Sequence, residues 1–162
     1  MIAPPFVSVP PSRYGGTELV VAALVDGLLA RGHQVTLYAS GDSTSGTTLR
    51  AHFARPVWPP DPRFELVQSA TAAWDLLERR DVDLVHAHTG AALAFAPLLP
   101  CPLVYTIHHD REEGTCELMR AAVARAPSLA CVAISHRQRT RLGGIGGGGG
   151  TPKTPTQNYP PP

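Results

Sequence analysis

Helical and strand-like hydrophobic patterns alternate along the chain from residue 2 to residue 142. Apolar residues recur at helical spacing in residues 19–29 and 64–80, and shorter apolar runs have the length and β-branched content of buried strands. The strands are predicted at residues 2–9, 33–39, 82–87, 103–107 and 129–134, with a short one near 51–54, and further helices at 90–99 and 116–125. Strands that alternate with helices and read as continuous apolar runs form parallel sheets covered on both faces. The predicted fold class is therefore α/β, a doubly wound, Rossmann-like parallel sheet.

The apolar spacing within the two long helices also predicts which faces pack on the sheet. In the first helix, which Gly32 is expected to end, the predicted face comprises Leu19, Val20, Ala23, Leu24, Gly27 and Leu28. In the second helix it comprises Leu66, Val67, Ala70, Ala73, Trp74 and Leu77. We expect both stripes to be buried.

Length and composition indicate one domain followed by a tail. A chain of 162 residues is long enough for one hydrophobic core and too short for two ordinary domains. Residues 146–150 are all glycine, and residues 151–162 are polar and rich in proline, a composition that cannot build a core. We therefore predict a folded domain over residues 1–142 and a disordered tail over residues 143–162.

Charge and cysteine content narrow the possible partners and the compartment. The net charge is +1 and no dense basic run is present, so neither nucleic acid nor an anionic membrane is indicated as a partner. Three cysteines without C-x-x-C spacing suit a reducing environment better than a zinc ribbon or a disulfide framework. Neither a signal peptide nor a transmembrane segment is recognised, because prolines interrupt the longest uncharged stretch, residues 89–107. The sequence predicts a cytoplasmic protein.

The stretch Tyr14-Gly15-Gly16-Thr17-Glu18 precedes the first predicted helix. Glycines that open a helix let a ligand approach bare backbone amides at the positive end of the helix dipole, which makes this segment a candidate anion site. Gly16 or Thr17 is the expected N-cap, and Glu18 places a carboxylate in the first turn. The alternative is that the two glycines only form a tight loop.

Polar residues also follow the predicted strands. In an open parallel sheet, ligands bind beyond the carboxyl ends of the strands, where the strand order reverses on either side of the first strand. The side chains expected near that edge are Asp42, His86, His88, His108, His109 and Asp110. His86 and His88 are two residues apart and share a face, whereas His108 and His109 point to opposite sides if strand geometry continues.

Two of these positions allow more than one interpretation. His86 and His88 could chelate a metal, but no further ligand follows them, and a hydrogen-bonded, half-buried histidine is the simpler interpretation of His86. Ser135 follows the last predicted strand, where it can cap the next helix or place a hydroxyl in the cleft. We predict no metal site.

Together these segments resemble the N-terminal domain of family 4 glycosyltransferases, retaining enzymes of the two-domain B-type fold. The resemblance covers roughly residues 2–142. It rests on Ala3-Pro4-Pro5, Tyr14-Gly15-Gly16-Thr17-Glu18, Arg31-Gly32-His33, Asp83-Leu84-Val85-His86-Ala87-His88 and Thr106-Ile107-His108, which come in the family's order. The family's C-terminal domain, which holds most nucleotide contacts, has no counterpart in the sequence, so the chain resembles a fragment of an enzyme.

The resemblance implies sugar transfer from a nucleotide-activated donor to an acceptor with retention of anomeric configuration. In the family this domain mainly receives the acceptor, while the glycine loop lies beside the donor diphosphate and the histidine of the Thr-x-His segment contacts the donor sugar. We accordingly assign His108 as the catalytic residue. The residues assigned to donor or acceptor binding are Gly15, Gly16, Thr17, Glu18, His88 and Ser135. No cofactor is expected besides the nucleotide-sugar substrate, and the isolated fragment is expected to be inactive.

Two other functions stay open at this point. A dinucleotide-binding oxidoreductase domain also binds pyrophosphate at its first turn, but it has G-x-G-x-x-G directly after the first strand, and here the loop is longer and reads Gly-Gly-Thr-Glu. A non-catalytic binding or assembly module is the other alternative.

Overall fold

The computed structural model describes residues 1–109 and 113–141 and has five short strands, all paired in parallel. The strands are β1 (Thr36–Tyr38), β2 (Thr48–Arg50), β3 (Val85–Ala87), β4 (Leu103–Ile107) and β5 (Ala130–Ala133). The helices are α1 (Gly16–Leu29), α2 (Pro62–Arg79), α3 (Glu113–Arg125) and α4 (His136–Arg141), together with a 3₁₀ helix over Gly90–Leu98. Asp110 and the predicted disordered tail, residues 143–162, lie outside the described residues.

The first residues of the chain join two small sheets, β1-β2 and β3-β4-β5. Ile2 forms parallel bridges to Tyr38 on one side and to Ala87 on the other. Its N–H donates to the carbonyl of His86 and its own carbonyl accepts from the N–H of His88, each at 2.9 Å. The strand order is thus β2, β1, the Ile2 segment, β3, β4, β5, and the order reverses on either side of Ile2. This is the Rossmann-like arrangement expected from the sequence, with a first strand reduced to a bridge.

Successive residues along the strands contribute their side chains to two separate hydrophobic cores, one on each face of the sheet. Leu37, Ala39 and Ala3 pack with Val21 and Val25 of α1. On the other face, the core joins strand residues to α2, the 3₁₀ helix and α3; its members include Ile2, Tyr38, Ala72, Leu76, Val85, Ala87, Leu93, Leu103, Tyr105, Ile107 and Met119. Since side chains alternate along a strand, both cores come from the same few strands. The doubly wound α/β prediction is confirmed.

The predicted buried faces of both long helices are largely wrong, although Ala73 of α2 is buried as expected. In α1 the buried residues are Glu18, Val21 and Val25, while Leu19 is 54% exposed. In α2 the buried residues are Gln68, Ser69, Ala72, Ala73 and Leu76. Trp74 of that helix is 70% exposed, and Leu66, Val67 and Leu77 are exposed as well. Both helices carry apolar residues around most of their circumference, so spacing alone did not decide which side meets the sheet.

Three local predictions are corrected by the backbone. The N-cap of α1 is Gly15, not Gly16 or Thr17. The strand expected near residues 51–54 lies earlier, at β2, where Leu49 pairs with Leu37. Gly32 adopts a left-handed conformation with φ of 82°, but it does not end α1 directly. The helix ends at Leu29, and the N–H groups of Arg31 and Gly32 form turn hydrogen bonds beyond that end. Within the described residues, no helix has the length and apolar character needed to cross a membrane.

Candidate functional site

The beginning of α1 presents backbone amides without a side-chain cap. Gly15 is the N-cap, with extended backbone, and its carbonyl accepts the first helical hydrogen bond from Leu19 at 2.9 Å. A Cβ on Gly15 would lie 2.8 Å from Cβ of Pro11, whereas a Cβ on Gly16 would meet nothing within 4 Å. Gly15 is therefore enclosed by the preceding proline loop, and the space beside Gly16 is open. Backbone N–H groups next to open space, as at Gly16, are what an anion at a helix N-terminus requires, whereas the N–H of Glu18 is already engaged by its own carboxyl.

Glu18 folds back over this loop. It is only 6% exposed, and its Oε2 lies 2.9 Å from the place where a Cβ on Gly15 would be. Burial raises the pKa of the carboxyl, against the opposing effects of its own backbone N–H and of His109. His109, which follows β4, therefore contributes to the electrostatic environment of the Glu18 carboxyl. Thr17, half-buried in the same turn, makes no capping hydrogen bond.

The histidines predicted on the strand ends form a ladder across β3 and β4. His86 Nε2 lies 2.8 Å from Thr106 Oγ1, and His88 Nδ1 lies 2.8 Å from His108 Nε2. The rings of His86 and His88 are stacked with centroids 4.4 Å apart, and the centroids of His88 and His108 are 5.1 Å apart. In the parallel register Ala87 is opposite Tyr105, so the four polar residues share one face of the sheet. It is the face opposite to that of Val85, Ala87 and Tyr105, on the side of the sheet where α1 packs on Leu37 and Ala39.

The ladder is uncharged near neutral pH. Burial, followed by the nearby His86 and His108, lowers the pKa of His88 to about 3. Burial also lowers the pKa values of His86 and His108, in the latter case with a contribution from His109. Neutral imidazoles have one donor and one acceptor nitrogen each. The ladder therefore offers hydrogen bonds, not positive charge, to a ligand.

His88 is the enclosed member of the ladder. It is 3% exposed, whereas His108 is half-buried and His109 is exposed. Among the described residues, His88 Nε2 is buried without a hydrogen-bond partner, and so is the hydroxyl oxygen of the adjacent Thr89. His108 is thus the residue of the pair that a ligand can reach.

Ser135 caps α4, which was one of the two roles predicted for it. Its Oγ accepts from the backbone N–H of Gln138 at 3.1 Å. The hydroxyl proton of Ser135 is not used in that bond, so the residue can still donate to a ligand.

Gln138 was missed by the sequence reasoning. It is buried, its Oε1 accepts from the N–H of Ile134 at 2.8 Å, and its Nε2 donates to the carbonyl of Ile107 at 3.1 Å. Gln138 therefore ties the end of β5 to the end of β4, directly before His108. The signal was present as Ser135-x-x-Gln138, the spacing of a capping box.

Not every predicted residue joins this group. Asp42 accepts from Ser40 Oγ at 2.7 Å within its own loop, and no contact to the histidines is seen. Within residues 1–109 and 113–141, no group of three or more His, Cys, Asp or Glu side chains could hold a metal ion. The candidate site comprises the start of α1 at Gly16, the Glu18 carboxyl, and the neutral His88–His108 pair, in which the two histidines are in direct contact. Such a set can bind an anion beside a hydroxyl-rich group.

Comparison with known proteins identifies a family. The model of Glycosyltransferase Family 4 matches residues 14–145, which is most of the chain. The matched segment begins at the loop before α1 and includes both histidine-bearing strands. The comparison with curated proteins finds no match.

Proposed function

Because the chain belongs to Glycosyltransferase Family 4, we propose that it transfers a sugar from a nucleotide-sugar donor to an acceptor with retention of anomeric configuration. In this proposal the domain forms the acceptor side of the cleft and places its Gly15-Gly16 loop against the donor diphosphate. A C-terminal nucleotide-binding domain supplies the other wall. The enzyme acts in the cytoplasm on small-molecule substrates and needs no metal.

The observation that carries the proposal is the open space beside Gly16 at the start of α1, and the half-buried His108 at the end of β4 supports it. A diphosphate accepts hydrogen bonds from amides at a helix N-terminus, where the dipole favours negative charge. A neutral imidazole contacts a sugar oxygen without the cost of burying a charge.

The remaining predicted residues surround these two groups. Thr17 lies next to Gly16 in the first turn of α1, and the Glu18 carboxyl packs against Gly15. Ser135 has a hydroxyl proton available at the end of β5. His88 contacts His108 through their ring nitrogens, which are 2.8 Å apart.

Binding of nucleotide sugars to the isotopically labelled chain tests the proposal. The probes are UDP-glucose, GDP-mannose and ADP-glucose, each followed by amide NMR. We expect the largest chemical-shift changes at Gly15, Gly16 and Thr17, with a change at His108. The side chain added in Gly16→Val enters open space, so the protein should remain folded. The ligand-induced shift changes at the loop are expected to be smaller in this variant, and the other amide signals should keep the dispersion of a folded protein.

NAD is the comparison ligand, because it carries a pyrophosphate without an activated sugar. Stronger binding of NAD than of all three nucleotide sugars at the same loop would favour the oxidoreductase alternative. Absence of loop changes with every probe would favour a non-catalytic module. Turnover is expected in a protein that combines this domain with a C-terminal nucleotide-binding domain, since the donor must be held between two walls and placement supplies roughly 7–11 kcal/mol in favourable cases.

A further inference from the structure

We propose that His88 is a positioning residue that holds His108 in the neutral tautomer with its proton on Nδ1, so that His108 acts as a hydrogen-bond donor toward the substrate. This inference rests on the function proposed above for the meaning of His108. The state of the His88–His108 pair itself is a property of the free protein. It can therefore be tested without any substrate.

The contact between His88 and His108 engages one nitrogen of each ring in a shared hydrogen bond. His88 Nδ1 and His108 Nε2 are 2.8 Å apart, so one of them carries the shared proton and the other accepts it. The stacking of His86 on His88, with the rings inclined by 28°, restricts rotation of the His88 ring. His86 is itself held through the contact of its Nε2 with Thr106 Oγ1 at 2.8 Å. The enclosed ring is therefore fixed before a ligand arrives.

The burial of His88 distinguishes the two possible tautomers. If His108 donated, the proton of His88 would sit on Nε2, which is buried and lacks a partner among the described residues. A buried N–H without an acceptor is rare in folded proteins, and buried acceptors without a donor are better tolerated. If instead His88 donates from Nδ1, its Nε2 is a bare lone pair. The neutral His108 then carries its own proton on Nδ1.

The consequence for the site is a fixed polarity. The nitrogen of His108 that His88 does not occupy becomes a donor, suited to an oxygen of the donor sugar or of the diphosphate. Free histidine prefers the opposite tautomer, with the proton on Nε2. The pairing with His88 thus removes a reorganisation step that a lone histidine at this strand end would undergo on binding.

The test is long-range proton–nitrogen NMR of the imidazoles in the full chain, at neutral pH and without ligand. The wild-type protein is expected to show His108 with its proton on Nδ1. In His88→Phe, which keeps a stacked ring but has no donor, the ratio of the Nδ1–H to the Nε2–H form should fall about threefold to tenfold, the value of one net hydrogen bond. In His88→Asn, whose side-chain amide can donate from the position of Nδ1, the wild-type ratio should be restored at least in part.

His86→Phe is the matched control, since it changes the ladder but removes no donor to His108. We expect it to leave the His108 tautomer as in the wild type. An Nε2–H form of His108 in the wild-type protein, or an unchanged tautomer in His88→Phe, overturns the inference. Nucleotide-sugar binding is measured separately. A fixed tautomer without loop binding would refute the proposed function and leave the positioning role intact.

Discussion

Gly15→Ala is predicted to destabilise the fold, because the added methyl group has no space and because alanine is a poorer N-cap residue than glycine. Gly15 is the N-cap of α1 and its backbone is extended, so no conformational strain is expected from a side chain. The problem is space. The added Cβ would lie 2.8 Å from Cβ of Pro11 and 2.9 Å from Oε2 of Glu18.

The size of the effect follows from these contacts. Carbon atoms pack best at about 3.5–4.0 Å, so the added methyl overlaps Pro11 by roughly an ångström. The Glu18 carboxylate is at the end of a flexible side chain and can move, whereas the proline ring belongs to the loop backbone. Overpacking of this kind costs about 1–3 kcal/mol, and the lower entropy of the unfolded alanine chain returns about 0.4–1 kcal/mol. The net loss should be about 1.3 kcal/mol at the middle of these ranges, and about 2.6 kcal/mol at most.

Gly16→Ala is the matched control at the next position. Its Cβ meets nothing within 4 Å, so only the entropic gain remains and stability should rise slightly. Urea unfolding of both variants, followed by circular dichroism, gives the midpoint and the m-value. We expect equal m-values and a lower midpoint for Gly15→Ala alone. Equal midpoints for both variants would refute the claim that Pro11 encloses the loop.

Three other predictions concern the histidines and the sheet. In a two-domain version of the enzyme, His108→Ala should lower kcat on the order of a hundredfold by analogy with oxyanion-hole donors, with a smaller rise in donor KM, and exposed His109→Ala should cost little; equal effects in steady-state kinetics would contradict the assignment. The pKa of His88 is lowered from 6.5 to about 3 in the folded chain, so the unfolded chain binds the proton first as pH falls. The free energy of unfolding, measured by urea titration, should therefore decrease between pH 6.5 and pH 3 by up to about 4 kcal/mol, and by less in His88→Phe. Hydrogen exchange should be slower in β4, paired on both sides, than in the edge strand β5, and the reverse order would contradict the strand order.

The sequence by itself determined the alternation of helices and strands, the parallel sheet and the family-like loop before α1. These features depend on local pattern, and a pattern such as Leu103–Ile107 has only one interpretation: a short, β-branched and aromatic run between prolines and polar residues. Its predicted bounds are those of β4. The first strand was predicted over residues 2–9, but the structure reduces it to bridges at Ile2, with a turn already at residues 5 and 6. The functional residues at strand ends could be named for the same reason, since parallel strands end at one edge.

Only the tertiary structure decided which side of each long helix is buried. Residues 19–25 are uninterruptedly apolar, so helical spacing fits several faces equally well. The face that meets the sheet is chosen by the side chains that fit against it. In α2 these are the small residues Ala72 and Ala73, and Trp74 is left outside.

The pairing inside the site also required the folded chain. His88 and His108 are 20 residues apart, and nothing in either segment specifies that one ring donates to the other. Their contact follows from the register between β3 and β4 together with the enclosure of His88, which are properties of two neighbouring strands. The sequence could name both histidines, but only the register, which is set by packing on both faces of the sheet, brings their nitrogen atoms within hydrogen-bond distance.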